Sequence, residues 1–144
     1  MGFTPEKQIN GTFGELWIDD YYLSEVTGCQ AKVTINKEEV KQTGTLAKGY
    51  KVTGIECKGT VKLNKVTSFF IDKMSDSLKA GKSMVCTIIT KLADPDTHGV
   101  ERIKLTGCTF DELTLADWEA KKLSEESYAF TFTGWEVLDT IPNL

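Results

Sequence analysis

Two segments of alternating apolar and polar residues constrain most strongly what this chain can fold into. The first runs from Cys29 to Asn36 and the second from Ile55 to Asn64. Successive side chains of a β-strand point to opposite faces, so the alternation separates apolar from polar side chains. The polar set is Gln30, Lys32, Thr34, Asn36, Glu56, Lys58, Thr60, Lys62 and Asn64. These segments predict two half-buried strands.

A long polar span connects the two predicted strands. Residues 37–50 are rich in charge, include Gly44 and Gly49, and have no sustained apolar period. A hairpin connection needs only about two to five residues, and a much longer one is usually functional or disordered. We therefore predict an extended functional loop at about 37–50, with too little apolar area to fold alone.

One amphipathic helix is predicted after the second strand. It begins near a capping hydroxyl, Thr67 or Ser68, and ends before Gly81, which suits a left-handed C-terminal cap. Three- and four-residue spacing gives it one apolar face that would pack against the sheet, formed by Phe70, Ile71, Met74 and Leu78.

The rest of the chain is predicted to consist mainly of strands. Asp19–Asp20 is a predicted turn in an early hairpin, and the apolar run 84–89 is typical of a central strand. The phase of the alternation changes at Gly107 and again at Gly134, which predicts two β-bulges. Segment 111–123 fits either a helix or an irregular connection.

These elements predict a mainly β fold, an antiparallel β-sandwich or barrel with one α-helix packed on it. A length of 144 residues is enough for one domain to bury its own core, so residues 1–144 are expected to form a single domain.

Composition excludes several classes of function. The net charge is −4, and Arg102 is the only arginine among 17 basic residues, which argues against specific nucleic-acid binding. Nothing approaches the ~20 apolar residues of a membrane span, so no membrane anchoring is expected. The N-terminus has neither a basic start nor an apolar run, which predicts a protein made and used in a cytoplasm.

Residue types that carry catalysis are scarce. His98 is the only histidine and lies in a predicted Pro/Gly turn, so no Ser-His-Asp or Cys-His arrangement can be formed without it. The four cysteines lack the close spacing of a metal or redox site, and they are predicted to be small buried hydrophobes: Cys29, Cys57, Cys86 and Cys108. The sequence predicts no enzyme, no metal site and no cofactor.

Seven short, different motifs follow one another along nearly the whole chain. They are Gly11–Asp20, Glu25–Val26, Lys41–Gly44, Lys51–Gly54, Gly59–Val66, Phe130–Phe132 and Trp135–Leu138. Their order and spacing resemble the tail tube (tail core) proteins of contractile phages, PBSX-like prophages and R-type bacteriocin particles. The resemblance implies a structural subunit that forms six-membered rings, which stack into the inner tube of a contractile tail.

The resemblance also assigns roles to the two sequence features. The long loop would reach a neighbouring subunit or ring through Lys37, Glu38, Glu39, Lys41, Gln42, Lys48 and Tyr50. The polar strand faces would line the channel of the tube with Gln30, Lys32, Thr34, Asn36, Glu56, Lys58 and Lys62. The implied partners are other copies of the chain and the sheath, tape measure and baseplate proteins.

Assembly is expected in the cytoplasm of the host bacterium, followed by incorporation into a phage tail or tail-like particle. Three other readings remain open from sequence. The chain would otherwise be a monomeric β-barrel binding module that uses the same loop for recognition, an enzyme whose site is assembled across subunits, or the tube component of a secretion system.

Overall fold

The structure of the protein is a computed structural model that describes residues 2–143. In this part of the chain, two short 3₁₀ helices precede eight strands and one α-helix. The elements are β1 (Gly14–Ile18), β2 (Tyr21–Tyr22), β3 (Val26–Val40), β4 (Gly49–Asn64), α1 (Phe69–Lys79), β5 (Cys86–Leu92), β6 (Glu101–Phe110), β7 (Glu125–Thr131) and β8 (Gly134–Asp139). The predicted mainly β fold with one helix is confirmed.

All strand pairs are antiparallel, in the order β2-β1-β5-β6-β7-β4-β3, with β8 also paired to β6. The first half of β6 pairs with β5 and β8, whereas its end, at Thr109 and Phe110, pairs with β7. Strand β6 therefore belongs to two sheets, which fold over each other around the core.

A β-bulge at Gly107 lets β6 serve both sheets. Cys86 pairs with Cys108 and Ile88 with Leu105, so β6 carries one extra residue in this interval. Gly107 has φ +64, and a Cβ there would collide with the Thr133 hydroxyl. The predicted bulge is confirmed.

The bulge predicted at Gly134 is wrong. Strand β7 ends at Thr131, and Gly134 begins a separate strand, β8, which pairs with the other half of β6. The alternation changes phase there because the chain leaves one sheet and joins the other, with no extra residue inserted into a continuous strand.

The core lies between the two sheets and one face of α1. Phe70 stacks on Tyr128, with ring centroids 4.2 Å apart, and meets Phe110 edge-on at 5.1 Å. Met74 is also buried, but Leu78 is exposed, because the last turn of α1 extends beyond the core. The prediction that Leu78 packs inward is therefore wrong.

The helix ends differ in how well they were predicted. Gly81 has φ +73, and the Lys82 N–H donates to the Ser77 carbonyl at 2.8 Å, which confirms the C-terminal cap. Ser68 occupies the N-cap position without a side-chain hydrogen bond. The Thr67 hydroxyl instead donates to the Glu25 carboxylate at 3.1 Å.

The predicted loop at 37–50 is much shorter in the structure. Strand β3 continues to Val40 and β4 begins at Gly49, so only residues 41–48 connect them. Glu38 pairs with Lys51 across the two strands. The prediction failed because backbone pairing does not need an apolar period, and an exposed ladder accepts charged side chains on both faces.

Two further expectations were tested in this part of the chain. Segment 111–123 is an irregular connection rather than a helix. Cys57, Cys86 and Cys108 are buried as predicted, but Cys29 is exposed, because the apolar face of β3 is largely uncovered. All four thiols are free.

Asp19 ties the first hairpin turn to two other elements. Its carboxylate accepts a hydrogen bond from the Thr87 N–H and pairs with the Lys73 ammonium, both at 2.8 Å. Asp19 and Asp20 have φ of +47 and +69, as a tight two-residue hairpin turn requires. Partial burial pushes the pKa of Asp19 upward, but the hydrogen bonds from Lys73 and Thr87 outweigh it and lower the pKa.

We expect Asp19→Asn to destabilise the protein by about 1 kcal/mol at pH 7. A carboxyl group whose pKa falls on folding stabilises the fold above its unfolded pKa of roughly 4 and loses that effect as the pH falls further. The difference in the free energy of unfolding between the wild type and Asp19→Asn should therefore shrink below about pH 4. Urea unfolding across this range, with Asp20→Asn as control, measures it; a difference that grows in acid would contradict the assignment.

Gly59 fits beneath an aromatic ring in the middle of the β4–β7 ladder. It pairs with Phe130, and an added Cβ would collide with that ring and lie 2.6 Å from the Gln30 carbonyl oxygen. The ring is fully buried, so it has little room to move. The absence of a side chain here lets Phe130 fill the core.

We expect Gly59→Ala to lower the free energy of unfolding by about 1–3 kcal/mol, the usual cost of overpacking a core. Gly49→Ala is the matched control, because Gly49 also lies in β4 and a Cβ there meets nothing within 4 Å. Thermal and urea unfolding of both variants would test the contrast. Equal stabilities would show that Phe130 does not require the glycine.

Candidate functional site

Strands β3 and β4 form an arm that extends beyond the rest of the sheet. Within β4, only Lys58–Asn64 pair with β7, so the ribbon from Val33 to Cys57 has no third strand in the described residues. The 16 residues of β4 span about 50 Å at roughly 3.3 Å per residue. The arm is therefore a long two-stranded hairpin supported at one end.

The seven predicted loop residues all lie at the far end of this arm, and all are exposed. Strand β3 contains three of them: Lys37, Glu38 and Glu39. Tyr50 belongs to β4, and Lys41, Gln42 and Lys48 lie in the connection.

The seven predicted channel residues share one exposed face of the β3–β4 ladder. The register pairs Gln30 with Thr60, Lys32 with Lys58, Thr34 with Glu56, Asn36 with Gly54, and Lys62 with Gly28. Lys32 and Lys58 are like charges directly opposite each other, and the Lys58 ammonium lies 3.8 Å from the Glu56 carboxylate. The register therefore places these polar side chains on one face, and their position in a channel stays a prediction.

The opposite face of the arm is apolar and exposed. Ile35 and Ile55 lie directly opposite each other and are 53% and 50% exposed. An extra residue in β4 beside Gly54 shifts the register, which keeps Val52 and Tyr50 on this same face. On β3, Lys37 and Glu39 lie opposite Val52 and Tyr50, so the apolar stripe runs the whole length of the arm on β4 but only as far as Ile35 on β3.

An open groove continues the apolar stripe into the body of the subunit. It has a volume of about 750 Å³ and lies between β3 and the sheet formed by β1, β5, β6 and β8. Its apolar lining includes Leu16, Ala31, Val33, Leu92, Ile103 and Trp135. Sequence reasoning missed the groove, because alternation shows which side chains share a face but not what covers that face.

The most buried polar cluster holds the end of β4 to β7. The Glu126 carboxylate pairs with the Lys65 ammonium at 3.0 Å and accepts a hydrogen bond from the Tyr128 hydroxyl at 2.7 Å. Burial and this hydrogen bond raise the pKa of Tyr128 to about 12, so its hydroxyl stays protonated. These contacts satisfy one another, which indicates a structural role.

The remaining reactive groups also form no recognisable site. The hydrogen bond with Cys108 and burial raise the pKa of the Cys86 thiol, which keeps it protonated. Among residues 2–143, no three His, Cys, Asp or Glu side chains are grouped to hold a metal ion. No helix in the same range is long and apolar enough to cross a membrane.

The functional geometry therefore consists of surfaces: a projecting arm with one polar and one apolar face, and an apolar groove beside it. Such unfilled apolar surfaces are typical of a subunit that is completed by another chain. The exposed edge of β3, which is paired only to β4 in the described residues, is a further place for such completion.

Two solved structures with a similar fold come from tail-like particles. The fold matches a chain in the extracellular contractile injection system PVC sheath-tube complex, with a TM-score of 0.72 over 94% of this chain and 95% of that one, at 10% identity. A chain of the anti-feeding prophage tube-terminating cap gives a TM-score of 0.73 over 97% of each chain, at 9% identity. At these identities, the likeness concerns the fold.

Sequence similarity establishes the family. The chain is 32% identical over 139 residues to the phage-like element PBSX protein XkdM of Bacillus subtilis (strain 168), covering 95% of both proteins. The family model for the phage tail tube protein matches residues 1–139. The chain therefore belongs to the phage tail tube protein family.

Proposed function

We propose that this protein is the subunit of the inner tube of a contractile tail, where it assembles as stacked homo-hexameric rings inside a sheath. The observation that carries the proposal is the exposed apolar surface at Ile35 and Ile55 of the arm and in the adjoining groove, which a single chain leaves open. Membership of the tail tube family supports the same role.

The energetic argument concerns the arm. A two-stranded hairpin is only marginally stable in water unless its apolar face packs on something. Ile35, Ile55 and Tyr50 are each at least half exposed in the described chain, whereas Val33, at the base of the stripe, packs against the edge of the core. Burying it against the groove and the β3 edge of a neighbour would remove apolar area from water at about 25 cal/mol per Å².

A closed ring gives the two faces of the arm different environments. If the apolar face packs against neighbouring subunits, the polar face is left to line the channel, as the sequence led us to expect for Lys32, Lys58 and the other five residues of that face. The exposure of this face in the subunit supports the assignment. A ring also removes the free edge of β3.

The proposed role defines partners and location. The tube subunit would bind other copies of itself, the surrounding sheath, the tape measure protein and the baseplate. It would assemble in the cytoplasm of the host bacterium and then remain in the tail or tail-like particle. The proposal includes no catalysis, no cofactor, no specific nucleic-acid binding and no membrane anchoring.

One observation favours a second candidate function. The groove of about 750 Å³ has the size and apolar lining of a site for a peptide or other small ligand, as in a monomeric binding module. The exposed apolar stripe of the arm weighs against this reading, because such a module would leave it open. A tube component of a secretion system would share the surfaces proposed here and differ in its particle.

Assembly should depend on the apolar face of the arm and not on its polar face. We expect wild-type protein to form rings and tubes as concentration rises, and Ile35→Asp to remain a folded monomer, because a buried unpaired carboxylate opposes the contact. Mass photometry measures the oligomeric state of each protein, and negative-stain microscopy shows whether rings and tubes form.

Asn36→Asp is the matched control, since it adds the same charge to the neighbouring position on the polar face, where Gly54 lies opposite. We expect this variant to assemble like the wild type. Monomers of the wild type under every condition, including with sheath and baseplate proteins, would defeat the proposed function. Full assembly of Ile35→Asp would show that the apolar stripe is not an interface.

The channel assignment makes a separate prediction. In a Cys29→Ser background, Lys58→Cys should react readily with a maleimide-polyethylene glycol of several kilodaltons in the subunit. After tube assembly, the reaction should slow by at least about tenfold, because the probe enters only at the ends. Lys79→Cys, on the exposed last turn of α1, is the control. A Lys58→Cys that stays fully reactive in tubes would place this face outside the channel.

A further inference from the structure

We propose that Cys86 and Cys108 form an oxidation site, in which a peroxide converts the two thiols to a disulfide that joins β5 to β6. The site lies within one chain and goes beyond the proposed tube, because it needs no second subunit. It follows from the strand register, the burial of both sulfur atoms and the position of Cys86 at a strand end.

The two cysteines lie opposite each other on neighbouring antiparallel strands. Cys86 is the first residue of β5, and the register pairs it with Cys108 of β6. Opposed residues of an antiparallel pair have Cα atoms roughly 4.5–5.5 Å apart, which falls within the roughly 4.4–6.8 Å that disulfides span. The backbone therefore holds the two residues at a separation that a disulfide can bridge.

Both side chains point into the core, where they are hydrogen-bonded to each other. Cys86 is 3% and Cys108 0% exposed, and a side-chain hydrogen bond joins them. The Cys108 thiol also donates to the Leu105 carbonyl at 3.4 Å. The bulge at Gly107 interrupts the regular ladder beside the pair, so a small rotation of the sulfur atoms need not break paired backbone.

The surroundings give the two sulfur atoms different roles. The hydrogen bond with Cys86 lowers the pKa of Cys108, burial opposes this effect, and a hydrogen bond with the Ile88 backbone lowers the pKa further. The thiolate, not the thiol, is the nucleophile in cysteine chemistry. Cys108 is therefore the sulfur that attacks the oxidant, and Cys86 is the thiol that completes the disulfide.

Hydrogen peroxide represents the class of oxidant, and the reaction takes two steps. The Cys108 thiolate attacks one peroxide oxygen, the O–O bond breaks, and the sulfur becomes a sulfenic acid while the released hydroxide takes up a proton to form water. The Cys86 sulfur then attacks the sulfenic sulfur, and its proton leaves with the hydroxyl group as a second water. Two thiols and one peroxide give one disulfide and two waters.

The oxidant can reach the pair from the start of β5. Residues 82–85, immediately before Cys86, have no regular secondary structure, and Val85 is 62% exposed. The hydrogen bonds that Asp19 makes to β5 involve Thr87, so Cys86 lies beyond this anchor. A strand end separates from its partner at a lower free energy than the whole fold, and opening this one pair admits a molecule as small as peroxide.

The disulfide would act as a covalent clamp on β6. This strand belongs to both sheets, and Cys108 follows the bulge at which it passes from one to the other. Thiols stay reduced in a cytoplasm and are oxidised outside it, so the clamp would form after the proposed tube leaves the cell that made it. A cross-link restricts the unfolded chain, which stabilises the folded one.

Thiol counting and peptide mapping test the site in the full-length subunit. After brief treatment with hydrogen peroxide and alkylation with N-ethylmaleimide in denaturant, two of the four thiols should be lost, with Cys86 linked to Cys108 in the peptide map. The disulfide should raise the melting temperature by about 5 °C or more. Dithiothreitol should reverse both changes.

Matched controls identify the pair. Cys86→Ala should abolish the disulfide and the rise in melting temperature, whereas Cys29→Ser, which removes the exposed thiol, should retain both. Cys57 is a control within the same molecule, because it is also buried but lies opposite Val33. It should be alkylated in every sample.

The outcomes separate this inference from the proposed function. Full alkylation of Cys86 and Cys108 after a peroxide dose that oxidises free dithiothreitol would overturn the oxidation site, as would a disulfide between any other pair. A Cys86–Cys108 disulfide in protein that never forms rings or tubes would establish the site and defeat the proposed function alone. Tubes whose subunits never form the disulfide would do the reverse.

Discussion

The incomplete burial of β3 is the constraint on which the rest of the structure depends. In the described residues, this strand lies at the edge of the sheet, is paired only to β4, and has an apolar face that the opposite sheet covers only in part. A single chain of this size can bury a core but cannot also cover a 50 Å ladder. The stable body and the unfinished arm are therefore consequences of the same topology.

Two glycines permit close approach of other groups in the body. Gly107 allows β6 to bend from one sheet to the other, and Gly59 makes room for the ring of Phe130. The aromatic cluster of Phe70, Tyr128 and Phe130 then fills the space beneath α1. A rigid body at one end gives the arm a defined direction, which a self-assembling subunit requires.

The sequence predicted local structure better than it predicted which side chains are covered by other parts of the chain. The alternation in β3 and β4, the Asp19–Asp20 turn and the cap at Gly81 are set by neighbouring residues and were predicted correctly. The extension of the strands through residues 37–40 was missed, since backbone pairing leaves no apolar signal there. The exposure of Cys29 and the groove were missed because both depend on the distance between sheets. Family resemblance, rather than periodicity, supplied the expectation of a tube.

The connectivity of the arm has a consequence for the order of folding. Strands β3 and β4 are joined by only eight residues, whereas the pairings that close the body, such as Gly14 with Leu92, join distant parts of the chain. Local pairings form sooner than distant ones, because less chain entropy is lost in closing the loop. The arm can therefore pair on a nascent chain before the groove exists, although it is only marginally stable until its apolar face is covered. Arms that pair on separate nascent chains would expose apolar surface and a free strand edge to one another before any groove has formed, which favours aggregation.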